Sequence, residues 1–318
     1  MIHRWTVKRT IAAILPWFLL AIGIWLVASQ VSRPSFLVKA GDVKARVGCI
    51  ALVMTAIVIT GGIDLSVGSM LALSTVVMAS LWNMGLSPEI AALAALATGL
   101  AAGAGNGVLV SFGLSPLVAT LATMAFYRGL AVTLAGGKKI TEFETEPMFD
   151  FNFMGWPGEY WLLMLLSVFA LVTIHFTRFG RWCFAIGDNP LAARYAAVPV
   201  KWTQFWLYVA SGLVAGMLAI IYTMRKGANP EEHAGLELEA VACVVVGGTL
   251  ITGGRGGIAL TLLGIAVVTS LDMGLRLLSS SVSFLNAEAR LMVIGSLLIL
   301  IAVGNKWVAS EDERRVVQ

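Results

Sequence analysis

The chain has 318 residues, of which 58% are hydrophobic and only 13% are charged. A soluble domain has about 45–50% apolar and about 25% charged residues, so this composition excludes an ordinary soluble enzyme, a disordered chain and a secreted disulfide scaffold. A membrane-spanning helix needs about 20 apolar residues, and ten spans would use about 200 positions, which this chain can supply. The composition therefore predicts an all-α, polytopic transmembrane helical bundle.

The first predicted span is the charge-free run from Thr10 to Ser32, which follows a basic N-terminus. It is longer than the apolar region of a signal peptide, about 7–15 residues, so we expect an uncleaved span with its N-terminus in the cytoplasm. The segment from Arg33 to Arg46 carries four basic residues and would then lie on the outer side, against the positive-inside rule. Either it forms an interfacial helix or the count of spans is off by one.

Further charge-free runs predict the remaining spans. The run from Ile90 to Tyr127 is long enough for two helices and is broken by Gly105, Gly107, Gly113 and Pro116. A last pair of helices is expected to flank a tight turn at Gly253–Gly257. The count is eight to ten spans in a single domain, 1–318, with ten preferred, and an even number places both termini in the cytoplasm. The other runs are Val47–Ile63, Leu65–Pro88, Tyr160–Thr177, Trp202–Met224, Ala240–Gly254 and Leu291–Asn305.

Two connections carry enough charge to orient the bundle. Segment 177–202 has four basic residues against one acid, Asp188, and is predicted to be a cytoplasmic loop. Segment 136–159 has Lys138 and Lys139 against five acids and is predicted to face outward.

A few polar residues fall inside the predicted spans, where they are costly and are functional candidates. Asp272 and Arg276 lie four apart on one helix and can form a self-neutralising pair. Asn106, Thr120 and Thr123 could meet the hydroxyl groups of a solute, but they could equally serve helix packing. The isolated Cys49, Cys183 and Cys243 are expected to be buried free thiols.

The most distinctive segment is Gly61–Ser69, Gly-Gly-Ile-Asp-Leu-Ser-Val-Gly-Ser. Its paired glycines permit a chain reversal, after which Asp64 can cap the next helix by accepting hydrogen bonds from backbone N–H groups. The tetrapeptide Ile-Thr-Gly-Gly occurs at 59–62 and again at 251–254, and is interpreted as local turn chemistry. Helix capping also applies to segment 177–202: Asn189 is a good N-cap, Pro190 suits the first helical position, and Leu191–Ala197 can form two turns.

The nonapeptide resembles the signature of permease subunits of bacterial ATP-binding-cassette importers for simple sugars. Three further stretches resemble the same family, namely 121–130, 175–200 and 235–257, so the resemblance covers the chain from about Val47 to Asn305. The sequence departs from the family pattern at Asp188, Glu239 and Cys243. The family signature and its turns would be carried here by Gly61, Gly62, Asp64, Ser66, Gly68, Gly247, Gly248, Gly253 and Gly254.

The resemblance implies partners that the chain lacks. It implies cytoplasmic ATPase subunits, a periplasmic sugar-binding protein, and a second copy or paralogue of the permease forming a dimer in the lipid bilayer. ATP would be bound by the separate ATPase, since the chain has no phosphate-binding GxxxxGK[ST] loop. Contact with that ATPase would be made by Gly187, Asp188, Asn189, Pro190, Ala192, Ala193 and Arg194.

Other classes of function find little support. The three histidines show no metal-ligand spacing, no nucleophile elbow is present, and no basic cluster reads nucleic acid, so we expect no catalysis, metal, cofactor or nucleic-acid partner. Two transport alternatives stay open: a secondary sugar carrier, for which Asp272 is the best ion-site candidate, and a related permease for branched-chain amino acids.

Overall fold

The structure is a computed structural model that describes residues 16–25, 27–28, 34–141, 152–153 and 156–278, with residues 292, 295, 296 and 299. Outside the described residues lie both termini, Arg33 and the acids at 142–150. Of the predicted span Leu291–Asn305, the structure describes four residues. Eleven helices and one short antiparallel strand pair are found in the described part. The helices are α1 Pro16–Trp25, α2 Pro34–Ile59, α3 Val67–Asn83, α4 Pro88–Ser111, α5 Pro116–Leu134, α6 Gly158–Phe176, α7 Arg178–Asp188, α8 Pro190–Tyr195, α9 Val200–Lys226, α10 Leu236–Val246 and α11 Ile258–Leu278, and the strands are β1 Asn152–Phe153 and β2 Trp156–Pro157.

Five helices in the described part are long and apolar enough to cross a membrane: α4, α5, α6, α9 and α11. Helix α2 has the length, but its N-terminal half carries charge, and α3 and α10 are shorter. An all-α polytopic bundle is thus confirmed, while the count of ten spans and the side of each terminus stay predictions.

Helix α9 lies at the centre of the bundle and packs most closely on α4. Gly103 of α4 is so close to α9 that a Cβ there would stand 2.9 Å from the Cα atom of Gly212. A Cβ at Gly107 would stand 2.8 Å from the carbonyl oxygen of Phe205. The prediction that Gly105 and Gly107 break the run was wrong, because both lie inside α4, and Gly107 lets the two backbones approach.

Two of the four basic residues between Arg33 and Arg46 are buried within helix α2. Lys44 and Arg46 are 7% and 2% exposed, inside the bundle. Lys44 forms an ion pair with Glu239 of α10 and lies 3.1 Å from Asp272 of α11. The apparent violation of the positive-inside rule at Lys44 arises because the rule counts charges in loops, whereas this charge is neutralised by two carboxylates within the protein.

Glu159 also departs from its predicted place. It was counted among the acids of the outward loop, but it is fully buried in the first turn of α6. Its Oε2 atom accepts a hydrogen bond from Nη1 of Arg225, at the end of α9, over 2.6 Å. The described part of the acidic loop is therefore tied to the bundle by a buried ion pair. The three cysteines are buried and free, as expected.

Candidate functional site

The signature segment forms the link between α2 and α3. Gly61 has φ of +78°, a conformation that favours glycine, and it turns the chain back after α2 ends at Ile59. The chain then runs without helical structure to Ser66, the residue before α3. The carboxylate of Asp64 lies within this link and is completely buried.

Asp64 joins the link to the central helix. Its Oδ1 atom accepts from the backbone N–H of Ser66 at 3.0 Å and from the Ser66 hydroxyl at 2.7 Å. Its Oδ2 atom accepts from the hydroxyl of Ser211, on α9, at 2.7 Å. Asp64 does not cap α3 as predicted, because the N-cap is Ser66 and the carboxylate accepts one backbone N–H, that of Ser66, ahead of the first turn. The contact with α9 was not foreseen. None of the ion pairs between described residues involves Asp64.

Two of the polar candidates inside the spans meet this link. The amide Nδ2 of Asn106, on α4, donates to the hydroxyl of Ser66 at 2.6 Å. The hydroxyl of Thr120, on α5, donates to its own helix at Pro116 and lies 3.3 Å from the carbonyl oxygen of Ile63. Thr123, in contrast, bonds only carbonyl groups of α5.

Two tyrosines complete the arrangement and were missed in the sequence. Tyr127 of α5 donates to the carbonyl of Ala102, and Tyr208 of α9 reaches the carbonyl of Ile63 at 3.4 Å. A polar side chain in an apolar run was the available signal, since Ser211 and Tyr208 lie three apart in the run Trp202–Met224. Helices α4, α5 and α9 thus all contact the signature link, which precedes α3.

Asp272 and Arg276 belong to a different cluster, far along the chain. Nε of Arg276 donates to Oδ2 of Asp272 at 2.8 Å, which confirms the predicted i,i+4 pair. Lys44 binds the same carboxylate oxygen and also pairs with Glu239. The structure therefore does not bring Asp272 to Asn106 and Thr120, and it supplies two cations to this acid.

The two Ile-Thr-Gly-Gly turns lie against each other. The N–H of Gly254 donates to the carbonyl of Ile59 at 2.9 Å, and a Cβ at Gly253 would stand 2.9 Å from the backbone nitrogen of Gly61. Treating each copy as local turn chemistry missed this contact, because the two copies lie 192 positions apart in the sequence. Gly247 and Gly248 belong to the same irregular link, which follows α10 and ends where α11 begins.

Gly187, near the end of α7, packs directly on this pair of turns. A Cβ at Gly187 would overlap the carbonyl oxygen of Ile59 and the backbone nitrogen of Gly254. The next residue, Asp188, also lies beside Gly254, with its Cα atom 3.3 Å from the position of a Cβ there. At the end of α7, Gly187 therefore contacts the turns through its backbone, and the side chain of Asp188 lies against Gly254.

Helix α8 follows immediately and is presented to the outside of the bundle. Oδ1 of Asn189 accepts from the N–H groups of Leu191 and Ala192, each at 3.0 Å, and Pro190 occupies the first turn, so the predicted cap is confirmed. The helix ends at Tyr195, two residues earlier than predicted. Ala193 is buried beside Ile186 and Val200, whereas Ala192 and Arg194 are exposed, and Leu191 and Tyr195 are 65% and 91% exposed.

The described residues contain no group of three or more His, Cys, Asp or Glu side chains that could hold a metal ion. The polar contacts of the link are made by hydroxyl, amide and carbonyl groups around one carboxylate. Such an arrangement fixes helices relative to one another.

Comparison with known proteins agrees with this picture. The family model described as the permease component of branched-chain amino acid transport systems matches residues 45–302. The ribose import permease protein of Bacillus subtilis (strain 168) is 36% identical over 295 residues, which cover 89% of this chain and 90% of that protein. The ribose import permease protein of Escherichia coli (strain K12) is 36% identical over 80% of this chain and 79% of its own length.

A third relative is the fructose import permease protein of Bifidobacterium longum (strain NCC 2705), 34% identical over 80% of this chain and 77% of that protein. No solved structure matches the chain. The match of the family model covers the signature link, the paired turns, α8 and the central helices. The chain belongs to the family of permease components of branched-chain amino acid transport systems, and is a multi-pass helical membrane protein.

Proposed function

We propose that this chain is the membrane-spanning subunit of an ATP-binding-cassette importer that carries a simple sugar, a pentose or hexose, across a bacterial inner membrane. The observation that carries the proposal is α8, a short, capped and exposed helix whose base touches both paired turns. The relatives named for ribose and fructose import support a sugar as the substrate.

In this proposal the chain performs no covalent chemistry and binds no cofactor. Cytoplasmic ATPase subunits receive α8 in a groove, with Leu191, Arg194 and Tyr195 as the contact residues. Movement of α8 passes through Gly187 to the turns at Ile59–Gly62 and Ile251–Gly254. A periplasmic binding protein supplies the sugar, and two permease copies, or this chain and a paralogue, form the pore between them.

Isolation of the complex tests the proposal most directly. The tagged chain is purified from its native membranes in a mild detergent, and the proteins that accompany it are identified by mass spectrometry. Recovery of an ATPase with phosphate-binding loops supports the importer. Repeated recovery of the chain alone, with ion-driven sugar uptake in vesicles, would instead favour the secondary carrier.

Uncoupling variants test the role of α8. We expect Asn189→Ala with Arg194→Ala to abolish most ATP-driven uptake, because the cap of α8 and a polar contact are lost together, each worth about 1 kcal/mol. Uptake and ATP hydrolysis are measured in proteoliposomes that contain the whole complex. Arg181→Ala, an exposed cation on α7, is the matched control. Wild-type uptake by the double variant would remove the coupling assignment.

Ten spans with both termini in the cytoplasm are part of the proposal. We expect a membrane-impermeant maleimide to label Lys138→Cys from the periplasmic side and Ala192→Cys only after the membrane is opened, because both positions are exposed but lie on opposite sides in this topology. Labelling of both from the same side would contradict the topology.

The family description supports a second candidate substrate, a branched-chain amino acid. The same proteoliposomes distinguish the two, with D-ribose, D-fructose and L-leucine as the labelled probes. Uptake of L-leucine alone would replace the sugar assignment and leave the importer mechanism unchanged.

A further inference from the structure

Four side chains at the end of α9 remote from α8 form a buried group that the described network does not use. Arg46, Tyr222, His233 and Glu237, here called the outer polar cluster, are between 0% and 7% exposed. Cζ of Arg46 lies 4.6 Å from the centre of the Tyr222 ring, and the His233 ring meets the same ring edge-on at 4.6 Å. Glu237 lies beside Gly68, where a Cβ would also meet the carbonyl oxygen of His233 at 2.6 Å.

These side chains hold unused hydrogen-bonding capacity. Nε and Nη1 of Arg46, both ring nitrogens of His233 and Oε2 of Glu237 have no hydrogen-bond partner among the described residues. Native proteins pair nearly all such buried groups, because an unpaired one is costly. The cluster therefore offers donors and acceptors that are filled by something other than the part of the protein described.

The charge state of His233 determines which hydrogen bonds its side chain can make. Burial, together with the positive charges of Arg46, Arg128 and Lys226, lowers the pKa of His233 to about 3. Its imidazole is therefore neutral at physiological pH, with one donor and one acceptor nitrogen. The guanidinium supplies donors only, and the Glu237 oxygen that lacks a partner is an acceptor when ionised.

A sugar fits this combination. Each of its hydroxyl groups both donates and accepts, so a sugar can use the guanidinium, the carboxylate and the imidazole together. The cluster is covered by the link 227–235, which is held by a hydrogen bond from Arg128 to the carbonyl of Pro230 (2.6 Å) and by backbone hydrogen bonds between Ile140 and Ala228.

We propose that the outer polar cluster is a subsite that holds the hydroxyl groups of the sugar, which enters when the link 227–235 opens and is enclosed when the link brings His233 back onto the cluster. This inference rests on the proposed function, because α9 has 27 residues, about 40 Å of helix, and separates the cluster from α8. If α8 faces the ATPase, the cluster faces the side from which the binding protein delivers the solute. The permease then takes part in recognising the sugar.

Paired sugars that differ by one hydroxyl group test the subsite. Glu237→Gln and His233→Gln are compared with the wild type in proteoliposomes that contain the complete transporter, with D-ribose and 2-deoxy-D-ribose as probes. We expect D-ribose uptake to fall about tenfold, the effect of one charge-assisted hydrogen bond. The ratio of D-ribose to 2-deoxy-D-ribose uptake should fall as well, with ATP hydrolysis unchanged. Because one binding protein serves every variant, a changed ratio reports the permease itself.

Glu231→Gln is the matched control, since Glu231 lies in the same link but is exposed. Tyr222→Phe, which keeps the ring and removes one hydroxyl, repeats the test if a glutamine variant is poorly produced. An unchanged uptake ratio in the variants, with a normal yield of complex, would overturn the subsite and would show that ordered water fills it. Absence of ATP-driven D-ribose and D-fructose uptake by the wild-type complex would contradict the proposed function instead.

Discussion

Asp64 is stabilised by hydroxyl and amide groups. Its two oxygens accept from Ser66 and Ser211, and Asn106 completes the network by donating to Ser66. Each of these groups is buried, so each depends on the others for hydrogen bonding. At the scale of single residues, the signature link is therefore held by buried polar groups that hydrogen-bond one another, because the bilayer offers them no partners.

We expect Asp64→Ala to destabilise the folded protein, because the Ser66 and Ser211 hydroxyl groups lose their acceptor, at about 1–3 kcal/mol for each buried group. Asp64→Asn, which keeps one acceptor oxygen, should cost less. Thermal unfolding of the purified protein in detergent measures both. Glu89→Gln, an exposed acid in the first turn of α4, is the control and should lower the unfolding temperature much less than Asp64→Ala. A stable Asp64→Ala variant with altered sugar preference would contradict this account.

The sequence could predict the turn and the acid but not the partners of the acid. A glycine pair followed by aspartate is a local pattern, and its backbone consequence is local. Ser211 lies 147 residues further along the chain, and no spacing rule links it to Asp64. The same reason explains why Lys44 was placed on the outer side of the membrane, since its neutralising partners Glu239 and Asp272 come from helices near the other end of the chain.

At the scale of elements, the lengths of the charge-free runs predicted the helices correctly, but some of the predicted breaks within the runs were wrong. The charge-free run Trp202–Met224 became α9, Val200–Lys226, with little change. The run Ile90–Tyr127 did contain two helices, but the break falls only at Gly113–Pro116, where α4 ends and α5 begins. Glycine inside a spanning helix is as consistent with close helix packing as with a break, and only the neighbouring helix distinguishes the two.

The packing of α4 on α9 yields a sharp test. We expect Gly103→Ala to destabilise the protein by about 1–3 kcal/mol, because its Cβ would press on the backbone of Gly212 and force two central helices apart. Gly129→Ala on α5 is the matched control, because nothing lies within 4 Å of its Cβ position. It should be neutral or stabilise the helix by up to about 1 kcal/mol. Thermal unfolding in detergent compares the two, and equal effects would refute close packing as the cause.

At the scale of the whole molecule, the signature link reaches two places that are far apart in the bundle. One end, at Gly61, touches the paired turn at Gly253, on which Gly187 and α8 rest. Gly68, in the first turn of α3 directly after the link, touches His233 and Glu237 of the outer polar cluster. Asp64 lies between Gly61 and Gly68 and ties the link to α9. One short backbone segment, Gly61–Gly68, therefore connects the turns beneath α8 with the outer polar cluster.

This continuity predicts that Gly187→Ala uncouples the transporter. Its Cβ would occupy the space of the Ile59 carbonyl and the Gly254 backbone, so α7 and α8 would have to move away from the paired turns while the exposed surface of α8 stays intact. We expect the variant to bind the ATPase with wild-type yield but to lose at least about tenfold in sugar uptake per ATP hydrolysed, the effect of about 1.4 kcal/mol in coupling. Gly129→Ala again serves as the control for added volume. Co-purification, ATP hydrolysis and uptake are measured on the same preparation, because a variant that lost the ATPase altogether would show a docking defect and would leave the link through Asp64 without support.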